Sequence, residues 1–278
     1  MATPQDDKRK FPGVIDIAYE QYKRELPKNQ LSKDLMSREV VTTTPETLLE
    51  NAAQVMGENH IGSLIVMKYK TPVGIVTERD LLSKVITYGL ILSDQKVEDV
   101  MTYPLITVSS EAKIKEVAQL MIRARSRLAV FDCGKLVGII TASDLIKSLP
   151  DVPETEVKVD DFMTKDLITA DEETPVITIA KVMGRKRVGS IIITRKEEPF
   201  GIFTERDLLT NFLAKGKTLY TEVGPQASQP LIVIPSGSSV HRTAAAMALK
   251  HIRRIPIVKD DKIVGIITAR DLVEAYAK

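Results

Sequence analysis

The chain has 278 residues, 44% of them hydrophobic and 27% charged, with a formal net charge of +2. These values fit a soluble globular protein long enough for two domains, and they exclude a surface that seeks polyanions over the whole molecule. One cysteine, Cys133, excludes an intrachain disulfide. No apolar run approaches the roughly 20 residues that span a bilayer, and no secretory leader is read, so a reducing cytosol is the expected location.

Residues 1–30 stand outside the regular pattern that follows. Their polar start predicts no fixed structure, and Val14 to Leu26 predicts one amphipathic helix that docks on the remainder. From residue 31 a unit of about 60 residues recurs. Three copies open on Asp-hydrophobic-Met, at Asp34-Leu35-Met36, Asp99-Val100-Met101 and Asp161-Phe162-Met163, and the fourth has Glu222-Val223-Gly224. A short β-rich stretch carries Thr42, Thr107, Thr169 and, in the fourth unit, Val233. Seven residues further on come Leu49, Ile114, Val176 and Val240, and after seven more Met56, Met121, Met183 and Met247, with alanines between. That spacing predicts an amphipathic helix packed on a sheet.

Next come β-branched runs, such as SLIV from Ser63 and SIII from Ser190, then charged turns such as KYKTP from Lys68 or CGK from Cys133. Each unit closes on Gly-hydrophobic-hydrophobic-Thr-x-x-Asp: GIVTERD from Gly74, GIITASD from Gly138, GIFTERD from Gly201 and GIITARD from Gly265, in steps of 64, 63 and 64 residues. The glycine run predicts a third short strand, and Thr-x-x-Asp the start of a second helix. Each unit is therefore β-α-β-β-α, an α/β architecture of repeats.

A second pattern lies over the first. Units one and three share Gly-Ser (Gly62-Ser63, Gly189-Ser190) and TERDLL, whereas units two and four share an arginine (Arg127, Arg254) and TA-x-DL. A pair of units duplicated once explains this, and a unit of this size hardly buries a core alone. The expected modules are 31–150, with units of about 31–92 and 95–150, and 157–278, with units of about 157–217 and 219–278; LPDVPETE, from Leu149 to Glu156, reads as the linker.

Thr-x-x-Asp at a helix start has a structural explanation, because Thr is a good N-cap and an acid three residues on completes a capping box. The same geometry serves binding: free N–H groups and a hydroxyl suit phosphate, and a carboxylate suits a ribose diol. All four copies carry Asp, although Glu or Gln would also cap.

With these motifs in order, the chain resembles the cystathionine-β-synthase (CBS) domain family over about residues 31–278, as two tandem pairs. The resemblance implies four β-α-β-β-α units paired into two modules of pseudo-two-fold symmetry, with clefts for an adenosine ligand such as AMP, ADP, ATP or S-adenosylmethionine. It implies ribose contacts for Asp80, Asp144, Asp207 and Asp271, and phosphate or ribose contacts for Thr77, Thr141, Thr204 and Thr268. Thr42, Thr107 and Thr169 would line the adenine edge, and Ile65, Ala129, Ile192 and Pro256 would wall the base. Val233 breaks that pattern, so the fourth cleft is expected to differ. Arg127 and Arg254 are the best phosphate candidates, followed by Arg79, Arg206 and Arg270 inside the motif, where unit two has Ser143.

No P-loop, dinucleotide fingerprint, metal-ligand spacing or nucleophile–base pair is present, so no enzyme activity and no catalytic cofactor are expected. The expected function is an adenine-nucleotide sensor that controls a separate protein. The modules stack within the chain or pair in a homodimer; the sequence leaves both open. The alternatives are a scaffold with degenerate clefts, or nucleic-acid binding through the basic segments 123–127, 185–187 and 250–254.

Overall fold

The computed structural model describes residues 30–147 and 157–278. The expected linker and the helix expected at Val14 to Leu26 lie outside the described residues. Four three-stranded sheets are present, each with the order first-second-third strand. They comprise β1 (Thr42–Thr43), β2 (Ser63–Lys68) and β3 (Thr71–Thr77); β4 (Thr107–Ser109), β5 (Leu128–Asp132) and β6 (Lys135–Ile140); β7 (Thr169–Asp171), β8 (Ser190–Arg195) and β9 (Glu198–Thr204); and β10 (Ile234–Pro235), β11 (Arg254–Lys259) and β12 (Lys262–Thr268). The first strand of each sheet runs parallel to the second, and the second antiparallel to the third. The hairpins turn on residues of positive φ, among them Tyr69-Lys70 and Cys133-Gly134, so exposed Cys133 is a turn residue.

Between the first two strands of each unit runs a longer helix: α1 (Leu49–Glu58), α3 (Ile114–Ala124), α5 (Val176–Lys186) and α7 (Val240–Leu249). In α1 the buried residues are Leu49, Ala52, Ala53 and Met56, the one-face spacing that the sequence carries; α3 and α5 repeat it. After the third strands come α2 (Glu78–Asp80, continuing as a π turn and a 3-10 turn to Tyr88), α4 (Ala142–Leu145), α6 (Glu205–Asn211) and α8 (Ala269–Ala277).

Two kinds of packing join the units. The sheets of units one and two meet through Ile65, Ile75 and Ala129, and those of units three and four through Ile192, Leu231 and Val233. Helices then close the molecule across the modules. Leu209 of unit three joins the core of unit one, Leu82 and Ile86 of unit one join that of unit three, and units two and four share one core. Both modules thus stack within a single chain.

The leading segments are exchanged between the units of a module. Ser37, which follows the first Asp-hydrophobic-Met, bridges to Ile139 of unit two, and Thr102 bridges to Ile75 of unit one; Thr164 likewise reaches Ile266, and Ser228 reaches Ile202. This exchange explains the repeated glycine. A Cβ on Gly74 would stand 2.7 Å from the Thr102 carbonyl, and one on Gly138 2.5 Å from the Met36 sulfur. We expect Gly74→Ala to cost about 1 to 3 kcal/mol, because its nearest obstacle is backbone; a urea midpoint equal to wild type would show that the segment yields freely.

Candidate functional site

In units one, three and four the strand-ending threonine hydroxyl accepts the backbone N–H of the aspartate three residues on, at 3.2 to 3.4 Å, a bond that Thr141 does not make. Asp80 Oδ2 accepts the Thr77 backbone N–H at 2.9 Å and the Thr77 hydroxyl at 2.6 Å. Asp144, Asp207 and Asp271 repeat both bonds with Thr141, Thr204 and Thr268 at 2.7 to 2.9 Å. The capping reading of Thr-x-x-Asp is therefore realised, and it uses one carboxylate oxygen, leaving Oδ1 of each aspartate for other partners.

An exchanged segment reaches one of these aspartates directly. Ser228, on the way to Val233, donates to Asp207 Oδ1 at 3.3 Å. The corresponding leading segments bridge at Thr102–Ile75, Ser37–Ile139 and Thr164–Ile266. Thr42, Thr107 and Thr169 are exposed, whereas Val233 is buried with Ile192 and Leu231.

The four units meet at a buried cluster of charge. Glu78 and Glu205, one residue after the capping threonines of units one and three, are each only 5% exposed. Glu78 Oε1 accepts from Arg253 at 3.0 Å and lies 3.4 Å from Arg127, while Oε2 accepts from Arg206 Nε at 3.2 Å. Glu205 Oε2 accepts from Arg254 at 3.0 Å, and its Oε1 lies 2.9 Å from Arg79 Nε. The pairing is reciprocal across the modules: each TERD arginine reaches the other unit's glutamate. Five guanidinium groups thus share two carboxylates. Burial alone would raise the Glu78 carboxyl, but Arg253, Arg127 and Arg206 outweigh it and hold it down to about 2. Arg254 is pressed below its usual range by burial, a trend that Glu205 opposes and Arg253 reinforces.

The alternating sequence pattern now has a cause. A Cβ on Gly62 would meet the Glu78 carboxylate at 2.7 Å, and one on Gly189 would stand 2.0 Å from Arg254 Nη2 and 2.9 Å from Glu205 Oε2. Units one and three therefore carry the glycine and glutamate together. Units two and four put Ala142 and Ala269 at the glutamate position and supply the arginines.

The comparisons agree with this architecture. A family model described as the CBS domain matches residues 32–87, 97–151, 159–214 and 222–278. The chain belongs to the CBS domain family. Protein MJ1225 of Methanocaldococcus jannaschii, proposed as an archaeal homologue of γ-AMPK, has the same fold, with a TM-score of 0.75 at 21% identity over 89% of this chain and 100% of that one. Protein MJ1404 of the same organism is 28% identical over 90% of this chain, and the match spans 62% of its own length. Inosine-5′-monophosphate dehydrogenase of Thermoplasma acidophilum is 29% identical over 65% of this CBS chain but only 42% of the enzyme.

The arginines favoured from sequence sit together: Arg127, Arg254, Arg79 and Arg206 all enter the central cluster, and Arg270 instead donates to the Ile122 carbonyl at 3.3 Å. Glu78, Glu205 and Arg253 were not singled out as a group. Their signal lay in the co-occurrence of Gly-Ser with TERD. Among the described residues no helix is long and apolar enough to cross a membrane, and no cluster of His, Cys, Asp or Glu is placed to hold a metal ion.

Proposed function

We propose that this CBS protein is a regulatory sensor of an adenosine ligand (AMP, ADP, ATP or S-adenosylmethionine) and acts on a separate partner protein rather than catalysing a reaction. The observation that carries this reading is the excess of guanidinium groups around two buried glutamates where all four units converge, with an aspartate at the start of a helix in every unit. A ribose diol held by an aspartate directs the attached phosphate toward that cationic centre, whose charge is strengthened by exclusion of water. Because the centre draws on both modules, ligand binding changes the relation between them, and a partner that favours one arrangement responds.

The test is a thermal-shift screen with AMP, ADP, ATP, S-adenosylmethionine and GMP. A ligand at about 100 times its dissociation constant stabilises one site by about 2.7 kcal/mol. Stabilisation by adenine but not guanine compounds is the expected result, and no stabilisation by any of them would overturn the reading. In that case the internal Thr–Asp hydrogen bonds of all four units favour a scaffold. Nucleic-acid binding is less favoured, since Arg127, Arg253 and Arg254 of the basic segments face glutamates inside the molecule.

A further inference from the structure

The contact between units one and three is symmetric in its backbone but not in its surface. Thr87 of unit one packs on Gly184 of α5, and Ala214 of unit three packs on Gly57 of α1, at equivalent positions. Beside the Ala214 contact the surface is polar: the turn exposes Lys215, Lys217 and Thr218, and α1 ends at exposed Glu58. The equivalent positions beside Thr87 hold Tyr88, Leu90 and Ile91 on the turn and Arg185 on α5, followed by Lys186 and Arg187. Both turns bend on a left-handed glycine, Gly89 and Gly216, so the fold itself does not require the change.

The turn stands free. Tyr88 is 75% exposed, Leu90 44% and Ile91 62%. Leu82 and Ile86 before them are held in the core of unit three, and Leu92 after them packs against the cores of both units, so the turn is pinned at both ends with these three side chains outside. A Cβ on Gly89 would meet nothing within 4 Å, so no groove wall rises over the tip. Exposed apolar side chains scattered singly carry no meaning, but three within four residues form a patch. Arg185, Lys186 and Arg187 are exposed as well, and among the described residues none of them forms an ion pair. Cations suit a helix C-terminus, which explains their sign but not the apolar turn next to them. Asp94 is the only acid between Lys84 and Gln95.

The two halves of this surface select its partner. A second copy in a two-fold contact would set the patch on itself and the three cations against their own copies. A peptide needs a groove or a free strand edge, and the turn offers neither. An anionic bilayer meets both halves: its headgroups pair with Arg185, Lys186 and Arg187, its acyl boundary takes Leu90 and Ile91, and the amphipathic Tyr88 ring sits between.

We propose that turn 88–91 and the basic end of α5 seat the protein on an anionic lipid membrane. Three apolar side chains and three cations make a weak, reversible seat rather than an anchor. This surface uses none of the helix-start aspartates and neither buried glutamate, so it holds whether or not the protein senses a nucleotide.

The experiment is flotation of the full chain with vesicles of phosphatidylcholine, with and without phosphatidylglycerol, at low salt. Binding to the anionic vesicles alone is expected, weakened by added salt. Leu90→Ser with Ile91→Ser, and Arg185→Gln with Lys186→Gln, should each lower the apparent partition constant about tenfold or more. Lys215→Ser with Lys217→Ser, at the mirror turn, should leave it within about threefold of wild type. All six side chains are exposed, so circular dichroism should show unchanged helix content in each variant. No flotation with phosphatidylglycerol, or flotation that the Leu90 and Ile91 substitutions leave intact, would overturn the assignment. So would a dimer in sedimentation equilibrium that the same substitutions dissolve, because a second copy would then cover the patch.

Discussion

Glu78→Ala is expected to destabilise the protein by about 3 to 5 kcal/mol, because it leaves three guanidinium groups facing one another with their shared anion removed. The effect is large for the same reason that the pair itself is no great source of stability. Desolvating Glu78 and its partners costs nearly as much as their attraction returns, but deleting one member leaves the whole cost in place. Glu78→Gln retains the shape and one acceptor and should fall between wild type and alanine. Adding Arg253→Met to Glu78→Gln should recover part of the loss, as residues in one network do not act additively. Urea unfolding measures all three, and a loss below about 1 kcal/mol for Glu78→Ala would show that the cluster admits solvent.

The same carboxylate sets an acid limit. Its folded pKa, about 2, lies below the usual 4.5, so its contribution is fully present above pH 4.5. That contribution, roughly 3 kcal/mol, is lost progressively as pH falls from 4.5 toward 2. Glu78→Gln should flatten this part of the stability–pH curve.

What could be read from the sequence was whatever recurs within one unit. The spacing of Leu49, Ala52 and Met56, repeated three times more, set the helices, and the glycine runs set the third strands, because periodicity is a property of neighbouring residues. The family resemblance was carried by the same local motifs. The central cluster was not legible, since Glu78 and Arg253 are 175 positions apart and a glutamate in the first turn of a helix ordinarily faces water. The exchange of leading segments was hidden too: Asp-hydrophobic-Met was assigned to the unit in which it occurs, but it packs on the neighbour. The glycine at the head of each Gly-hydrophobic-hydrophobic-Thr-x-x-Asp run was the available clue, because a small residue kept in the middle of a strand marks a close approach by another segment.

Gly184→Leu should open the contact between the modules and cost about 3 kcal/mol or more. Gly184 in α5 and Gly57 in α1 hold the same place in units three and one, each directly after the buried methionine. A Cβ on Gly184 would stand 1.7 Å from Thr87 Oγ1 and 3.0 Å from its Cβ, and one on Gly57 would stand 2.3 Å from Ala214 Cβ. Thr87 and Ala214 are themselves equivalent positions, so the two contacts form a reciprocal pair. Even alanine at 184 must displace Thr87, whose hydroxyl donates to the Leu82 carbonyl at 2.8 Å. A leucine adds branched bulk that no rotation of Thr87 accommodates, and overpacking then moves the helices apart. Units two and four share a core that does not involve this contact, so the expected product is a hinged molecule rather than an unfolded one. Small-angle scattering should show a larger radius of gyration at unchanged helix content. Hinging also lengthens the Arg79–Glu205 and Arg206–Glu78 pairs, since both cross between units one and three. Glu78→Gln should therefore cost less in the Gly184→Leu background than alone. Additive losses would mean that the charged centre and the helix contact are held independently.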